Sequence, residues 1–370
     1  MTVTLRHRLT GRLSGRLSGR LYGRILGRAQ ADPHPLGGSF AVRGERGAAL
    51  LTAMIIVTLV ASLAAGMVWQ QYRAVQTEAA DRARAQSGWI LQGALDWARL
   101  ILLEDAKADR NRPPPSDHLG EVWAVPLAES RLSTFLAADR TASNDEGPEA
   151  FLSGSIVDLQ ARYNLRAVLG GEKVNPVERQ TLERLCQSAQ LSTAVAGLII
   201  ERMRGSFGAP PVAASGASSP GQPGDGSIQP ATLDQLGWLG IPMDAIDRLR
   251  PFVVLLPRPT AINLNTAPRE VLAAVIDKAS LADAERIVQE RTRTPLRSLE
   301  DAKRLLPPDT PLAPERLGVA SSFFEVTGRL RLEERQLEQR SIIERRGLDM
   351  RVIARYRVSQ LLDQPAKGRS

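Results

Sequence analysis

AALLTAMIIVTLVASLAAGMVW, Ala48–Trp69, is the stretch on which the fold turns, and no residue from Gly47 to Tyr72 is charged. As an α-helix rising 1.5 Å per residue it is about 33 Å long, enough for the ~30 Å hydrocarbon core of a bilayer. It is too long for the apolar core of a secretory signal peptide. Arg43 and Arg46 stand directly before it and seven further arginines precede them. The positive-inside bias therefore puts residues 1–47 in the cytoplasm and the rest of the chain beyond the membrane.

The 370 residues are enough for two domains with cores. The formal charge of +8 belongs to the leader: residues 1–47 carry nine Arg and two acidic residues, which leaves 39 basic and 38 acidic residues downstream. The body is nearly neutral and lacks the cationic face that gives affinity for phosphates, so no nucleic acid is expected as a partner. Cys186 is the one cysteine and cannot form an intramolecular disulfide. The histidines, His7, His34 and His118, are too few and too scattered for a metal cluster or a catalytic triad. Nothing pairs a nucleophile with a base, so neither an enzyme nor a cofactor is expected.

Basic residues ending in Gly47 precede the apolar run, so a cut between Gly47 and Ala48 keeps the hydrophobic segment, the reverse of a signal peptide. This order resembles a type IV prepilin. The resemblance implies cleavage by the membrane prepilin peptidase after Gly47 and methylation of Ala48. Gly44 competes, but would leave Glu45 and Arg46 heading the membrane helix, at ~2 to 3 kcal/mol each if drawn to its centre. Pilins mostly carry Glu at the fifth mature position, where it neutralises a neighbour's amine; here that position is Thr52. A hydroxyl there bonds a preceding carbonyl instead. The leader also holds a four-residue repeat, GRLSGRLSGRLYGRILGR, Gly11–Arg28, whose five glycines weaken any helix by about 1 kcal/mol each; no function is drawn from it.

Beyond the membrane, Leu91, Leu95, Ala98 and Leu102 recur at helical spacing. The helix should run to residue 110 and stop before Pro113, with Trp89 and Trp97 counted into its core stripe. Residues 111–150 read as an irregular loop, and Ser153–Leu169 as one or two strands. Residues 174–204 and 260–306 are helical by pattern, with Asn175 capping and Pro176 in the first turn, and with Asn265 or Thr266 capping a helix that opens on Pro268, Arg269 and Glu270. Residues 205–230, rich in Gly, Pro and Ser, form a flexible loop. Phe323–Leu332 and Met350–Val358 alternate as strands, with a polar turn near Gly347 and the charged run Leu332–Arg346 on a solvated face.

Two strings make a resemblance specific. Ile156, Asp158, Gln160, Arg162, Tyr163, Asn164 and Leu165 match an Ile-x-Asp-x-Gln-x-Arg-aromatic-Asn-Leu pattern of the K pseudopilins of type II protein secretion, and INLNTAP, Ile262–Pro268, is similar to their helical insert. K pseudopilins are also the members that lack the membrane Glu. The resemblance implies an α+β fold: a pilin-like N-terminal helix, an antiparallel sheet and a large helical insert of SAM-like or helix-hairpin-helix type. The expected parts are a leader, 1–47, that is removed; the helix, 48–110, with its span at 48–69; a first part of the head, 111–170; the insert, 171–310; the last strands, 311–360; and a tail, 361–370. Asp158, Gln160, Arg162, Asn164, Asn263, Asn265 and Thr266 are structural motif residues in this reading.

The implied role is a minor pseudopilin at the tip of the secretion pseudopilus, in the inner membrane with its body in the periplasm. Its implied partners are the I, J and H minor pseudopilins, the major pseudopilin and the prepilin peptidase. The alternative is a membrane-anchored helix-hairpin-helix DNA receptor of the uptake type. Those hairpins use a Gly-x-Gly turn to approach phosphate, whereas Gln190-Leu191-Ser192 and Ser280-Leu281-Ala282 contain no glycine. Arg291, Arg293 and Arg297 would be the DNA contacts, or otherwise a solvated loop edge. Some relatives bind calcium through acidic loops; Asp225 is the sole carboxylate of 205–230, and Asp139, Asp145 and Glu146 are the other candidates. Since calcium takes six to eight oxygens, no metal is expected.

Overall fold

The computed structural model describes residues 46–132, 150–170, 174–208, 229–332 and 335–361. The leader repeat, Asp139, Asp145, Glu146 and Asp225 lie outside the described residues. The chain divides into two compact units, residues 1–73 and 74–370.

The first unit holds the beginning of helix α1, Arg46–Arg110. Among the described residues it is the one helix long and apolar enough to cross a membrane, which fits a single-pass anchor. Leu50, Ile55, Leu59, Leu63 and Trp69 present their side chains outward. The few polar side chains satisfy themselves within the helix: Thr52 Oγ1 donates to the Ala48 carbonyl at 2.9 Å, Thr58 Oγ1 to Ile55 and Ser62 Oγ to Leu59. In lipid no water is present to accept those protons.

In the second unit α1 ends at Arg110, as Pro113 requires. Its buried stripe is Leu91, Leu95, Ala98 and Leu102, packed on a five-stranded sheet. The tryptophans are a correction: Trp89 is 77% and Trp97 52% exposed, because the i, i+4, i+7, i+11 stripe fills the contact and both rings fall outside it. The sheet comprises β1 (Leu127–Arg131), β2 (Ala150–Asp158), β7 (Phe323–Leu332), β8 (Arg335–Arg346) and β9 (Asp349–Leu361), in that order and antiparallel throughout. β1 lies inside the stretch read as irregular, since LAESR has no clear alternation. Gly154 faces Thr327 so closely that a Cβ there would stand 2.9 Å from its carbonyl oxygen. Gly347 turns β8 into β9 with φ +60°.

The insert runs between β2 and β7. It contains β3 (Tyr163–Asn164), α2 (Pro176–Ser188), α3 (Thr193–Phe207), α4 (Met243–Leu249), β4 (Val253–Val254), β5 (Ile262–Asn263), α5 (Arg269–Val275), α6 (Leu281–Arg293), α7 (Leu299–Lys303) and β6 (Leu317–Gly318). Thus Ser153–Leu169 is one long strand followed by 3-10 turns and a two-residue strand, and 260–306 is a strand plus three short helices. β3 pairs with β4, and β5 with β6, in parallel. Asn175 caps α2 by accepting from the Val177 amide, with Pro176 at the first helical position. The first turn without glycine uses left-handed backbone at Gln190 (φ 57°), whereas Ser280-Leu281-Ala282 is the cap and first residues of α6 rather than a turn, with left-handed Lys278 (φ 65°) just before it. Leu182, Leu185, Cys186, Ile199, Met203 and Leu272 build a separate core here, each large aliphatic worth roughly 1.5 to 3 kcal/mol. Burial pushes the Cys186 thiol up to about 11, with Glu183 adding to it.

Candidate functional site: a buried polar junction

Five of the seven motif residues, Asp158, Gln160, Asn263, Asn265 and Thr266, are joined by hydrogen bonds where the insert meets the sheet. Asp158, the last residue of β2, accepts from the Gln160 amide through Oδ1, while its Oδ2 accepts from Thr266 Oγ1 at 2.5 Å, Ser321 Oγ at 2.6 Å and Asn263 Nδ2 at 3.1 Å. Asn263 Nδ2 also faces the Asp117 carbonyl and Ser321 Oγ at 3.0 Å. Burial pushes the Asp158 carboxyl above its ordinary value, against the pull of these donors. Gln160 Nε2 donates to the Ala261 carbonyl and its Oε1 accepts from the Ser322 amide, so one side chain joins insert and β7. Asn164 donates to the Arg258 carbonyl and accepts from the amides of Leu256 and Arg166. Arg162, half-buried, borders a cleft with Arg250 and Tyr356 and takes no part in the junction.

INLNTAP is a bracket rather than a helix cap. Asn265 clasps the backbone of Leu296 from both sides, donating to its carbonyl at 2.8 Å and accepting from its amide at 2.9 Å. Thr266 is taken up by Asp158, and α5 begins at Pro268 with no side-chain cap. The capping expectation for Asn265 and Thr266 is corrected: long-range partners win because both residues are buried. Arg291 is corrected too. It is no solvated edge, since its Nη1 donates to the carbonyls of Leu264 and Ala267 at 2.6 Å and burial pushes the guanidinium down to about 10. Arg293 and Arg297 are exposed.

A charged cluster adjoins the junction. Arg345 of β8 donates from Nη2 to both Asp117 oxygens at 2.5 Å and to the Ser321 carbonyl, and from Nη1 to Asp105 at 2.9 Å. Asp117 is fully buried and also accepts from the Ser321 amide. Glu121 accepts from Trp123 Nε1 and from the His118 amide. Oxygens of Asp105, Asp117 and Glu121 lie within 4.8 Å of one another. Burial, with Glu121 and Asp117 beside it, pushes Asp105 up to about 7; burial does the same to Glu121, also to about 7. Burial alone would lower Arg345, and Asp117 and Asp105 outweigh it, so its pKa is raised. The expectation that residues 332–346 form a wet face thus fails at Glu344 and Arg345, both buried.

Calcium does not fit this cluster, because a guanidinium already holds oxygens of two of the three carboxylates where six to eight free ones are wanted. The sequence reading missed Asp117, Ser321 and Arg345, which follow no periodic pattern. A polar residue after Pro113-Pro114-Pro115 and an arginine inside a strand-like run were the available signals. At the other end, the Gly47–Ala48 bond lies in the first turn of α1.

The INLNTAP side of the junction lies in the region recognised by a family model. Residues 262–320 match the model for type II secretion system (T2SS), protein K. The chain is 27% identical over 338 residues to the type II secretion system protein K of Pseudomonas aeruginosa, covering 88% of this chain and 97% of that protein. It is 26% identical to the corresponding proteins of Pectobacterium carotovorum and Klebsiella pneumoniae, in each case over 84% of this chain and 96% of the relative. Its fold is that of a chain in the crystal structure of the GspK-GspI-GspJ complex from the enterotoxigenic Escherichia coli type 2 secretion system, with a TM-score of 0.56, 19% identity and coverage of 75% of this chain and 98% of that one. The chain is thus similar over most of its length to type II secretion system K proteins, and shares its fold with a chain of the GspK-GspI-GspJ complex.

Proposed function

We propose that this chain is a minor pseudopilin standing at the tip of the type II secretion pseudopilus, where it initiates or caps the fibre that drives folded proteins across the outer membrane. The observation that carries this reading is the near full-length likeness to protein K relatives, joined to a membrane helix whose fifth residue after Gly47 is the neutral Thr52. A carboxylate in that apolar setting is tolerable only when paired, and a subunit with nothing ahead of it has no amine to pair with. The role is mechanical rather than catalytic. The prepilin peptidase would release residues 1–47, Ala48 would be methylated, and the body would lie in the periplasm against I and J minor pseudopilins, with the H type and the major pseudopilin below. No metal or nucleic acid enters this scheme.

Mass spectrometry of the protein from cells with active prepilin peptidase tests the first step. The expected amino terminus is N-methylated Ala48, and an intact terminus upstream of Gly47 would remove the foundation. Co-purification with I- and J-type pseudopilins tests the second, and its absence in secretion-competent cells would end the tip assignment.

A further inference from the structure

Three carboxylates, Asp105 of α1 and Asp117 and Glu121 of the following connection, crowd one guanidinium, Arg345 of β8. Their side chains are 14%, 0% and 16% exposed, so water screens them little. The other charged groups nearby shift the balance further. From α1 comes Asp109; from the connection, His118, whose Nε2 is 3.5 Å from Glu121; and from β2, Asp158, which repels Asp117 across the junction. His118 is held towards its neutral form by burial. One fixed positive charge thus faces several acids, and like charges sharing a buried site cannot all ionise. A cavity of about 330 Å³ opens beside Asp109 and Arg345, giving solvent a route to the cluster.

The cluster also fastens separate elements. The Asp117 amide donates to the Val319 carbonyl and its carboxylate accepts from Ser321, so the connection is stitched to the segment leading into β7. Arg345 bonds that segment and α1 together. We propose that Asp105, Asp117, Glu121 and Arg345 form a proton-operated clasp, which holds the end of α1 and the 116–124 connection on the sheet while the carboxylates share a proton, and loosens both when the proton leaves. The raised values at Asp105 and Glu121 put the release near neutrality. In the sign convention of linkage, the folded chain binds more protons than the unfolded one between about pH 4 and 7, so the clasp weakens as pH rises through that window.

The test uses the full chain in detergent micelles, comparing wild type with Glu121→Gln and Asp105→Asn between pH 5 and 8.5. The wild-type unfolding midpoint is expected to fall as pH rises from 5 to 8. Either amide variant, carrying the proton's neutrality permanently, flattens that fall and unfolds above wild type at pH 8. Hydrogen exchange of residues 116–124, corrected for the intrinsic rate, should quicken at least several-fold in wild type from pH 6 to 8 and less in Glu121→Gln. Equal pH slopes in all three proteins would overturn the proposal, and so would amide variants that are less stable than wild type at pH 8.

Discussion

Asp158 serves four donors with one carboxylate, and its removal takes the close acceptor from the buried hydroxyls of Thr266 and Ser321 and one of the acceptors from Asn263. Asp158→Ala should therefore cost about 3 kcal/mol of unfolding free energy, readable as a lower denaturant midpoint at unchanged slope. Arg345→Met should cost about 3 to 5 kcal/mol, because it strands a fully buried carboxylate, Asp117, without its counter-charge. Each loss is a loss of the bracket between insert and sheet. Thr52 is the contrasting case. Its hydroxyl serves only its own helix, so Thr52→Val should leave membrane insertion and processing after Gly47 unchanged in a cleavage assay.

At the scale of elements, the helices of the insert rely on short local devices. Ser280 and Asp283 form a reciprocal capping box at the start of α6, and Ser280→Ala should cost about 1 kcal/mol by chemical denaturation. The long α1 and the β7–β9 meander were legible, since periods of 3.6 and 2 over ten or more residues are strong signals. Asn175 and Pro176 marked α2 correctly for the same local reason. The INLNTAP segment does lead into α5, but its polar residues were misread as caps; in the structure their long-range partners lie 31 to 149 residues away. Arg345 hid in a charged run for that reason too. Family likeness singled out Asp158, Gln160, Asn164, Asn263, Asn265 and Thr266 as structural residues of two separate strings, and nothing in local pattern says that β2 and β5 meet.

For the molecule as a whole, two opposed sets of carboxylates shape stability against pH. Glu344, bonded by Arg346 and Arg258, and Asp283, bonded by Ser280, sit below their ordinary values, so their contribution is present above about pH 4 and is lost as pH falls through their folded values. Asp105 and Glu121 act in the opposite sense above pH 4. A thermal midpoint plotted against pH should accordingly peak near pH 5, and a maximum at pH 8 would contradict the balance. The near-neutral body also predicts no salt-dependent binding of duplex DNA in a titration at low ionic strength, since Arg291, the best cationic candidate, is spent on backbone carbonyls.

The lone thiol of Cys186 sits at 0% exposure inside the insert core, with its pKa pushed up to about 11. The thiolate is the reactive form, so an alkylating reagent at neutral pH would mark only those chains whose insert has come open. The protein thus carries its own tally of opened molecules: the fraction heavier by one adduct, read by intact-mass measurement, reports how often α2 leaves its neighbours, with no probe engineered in.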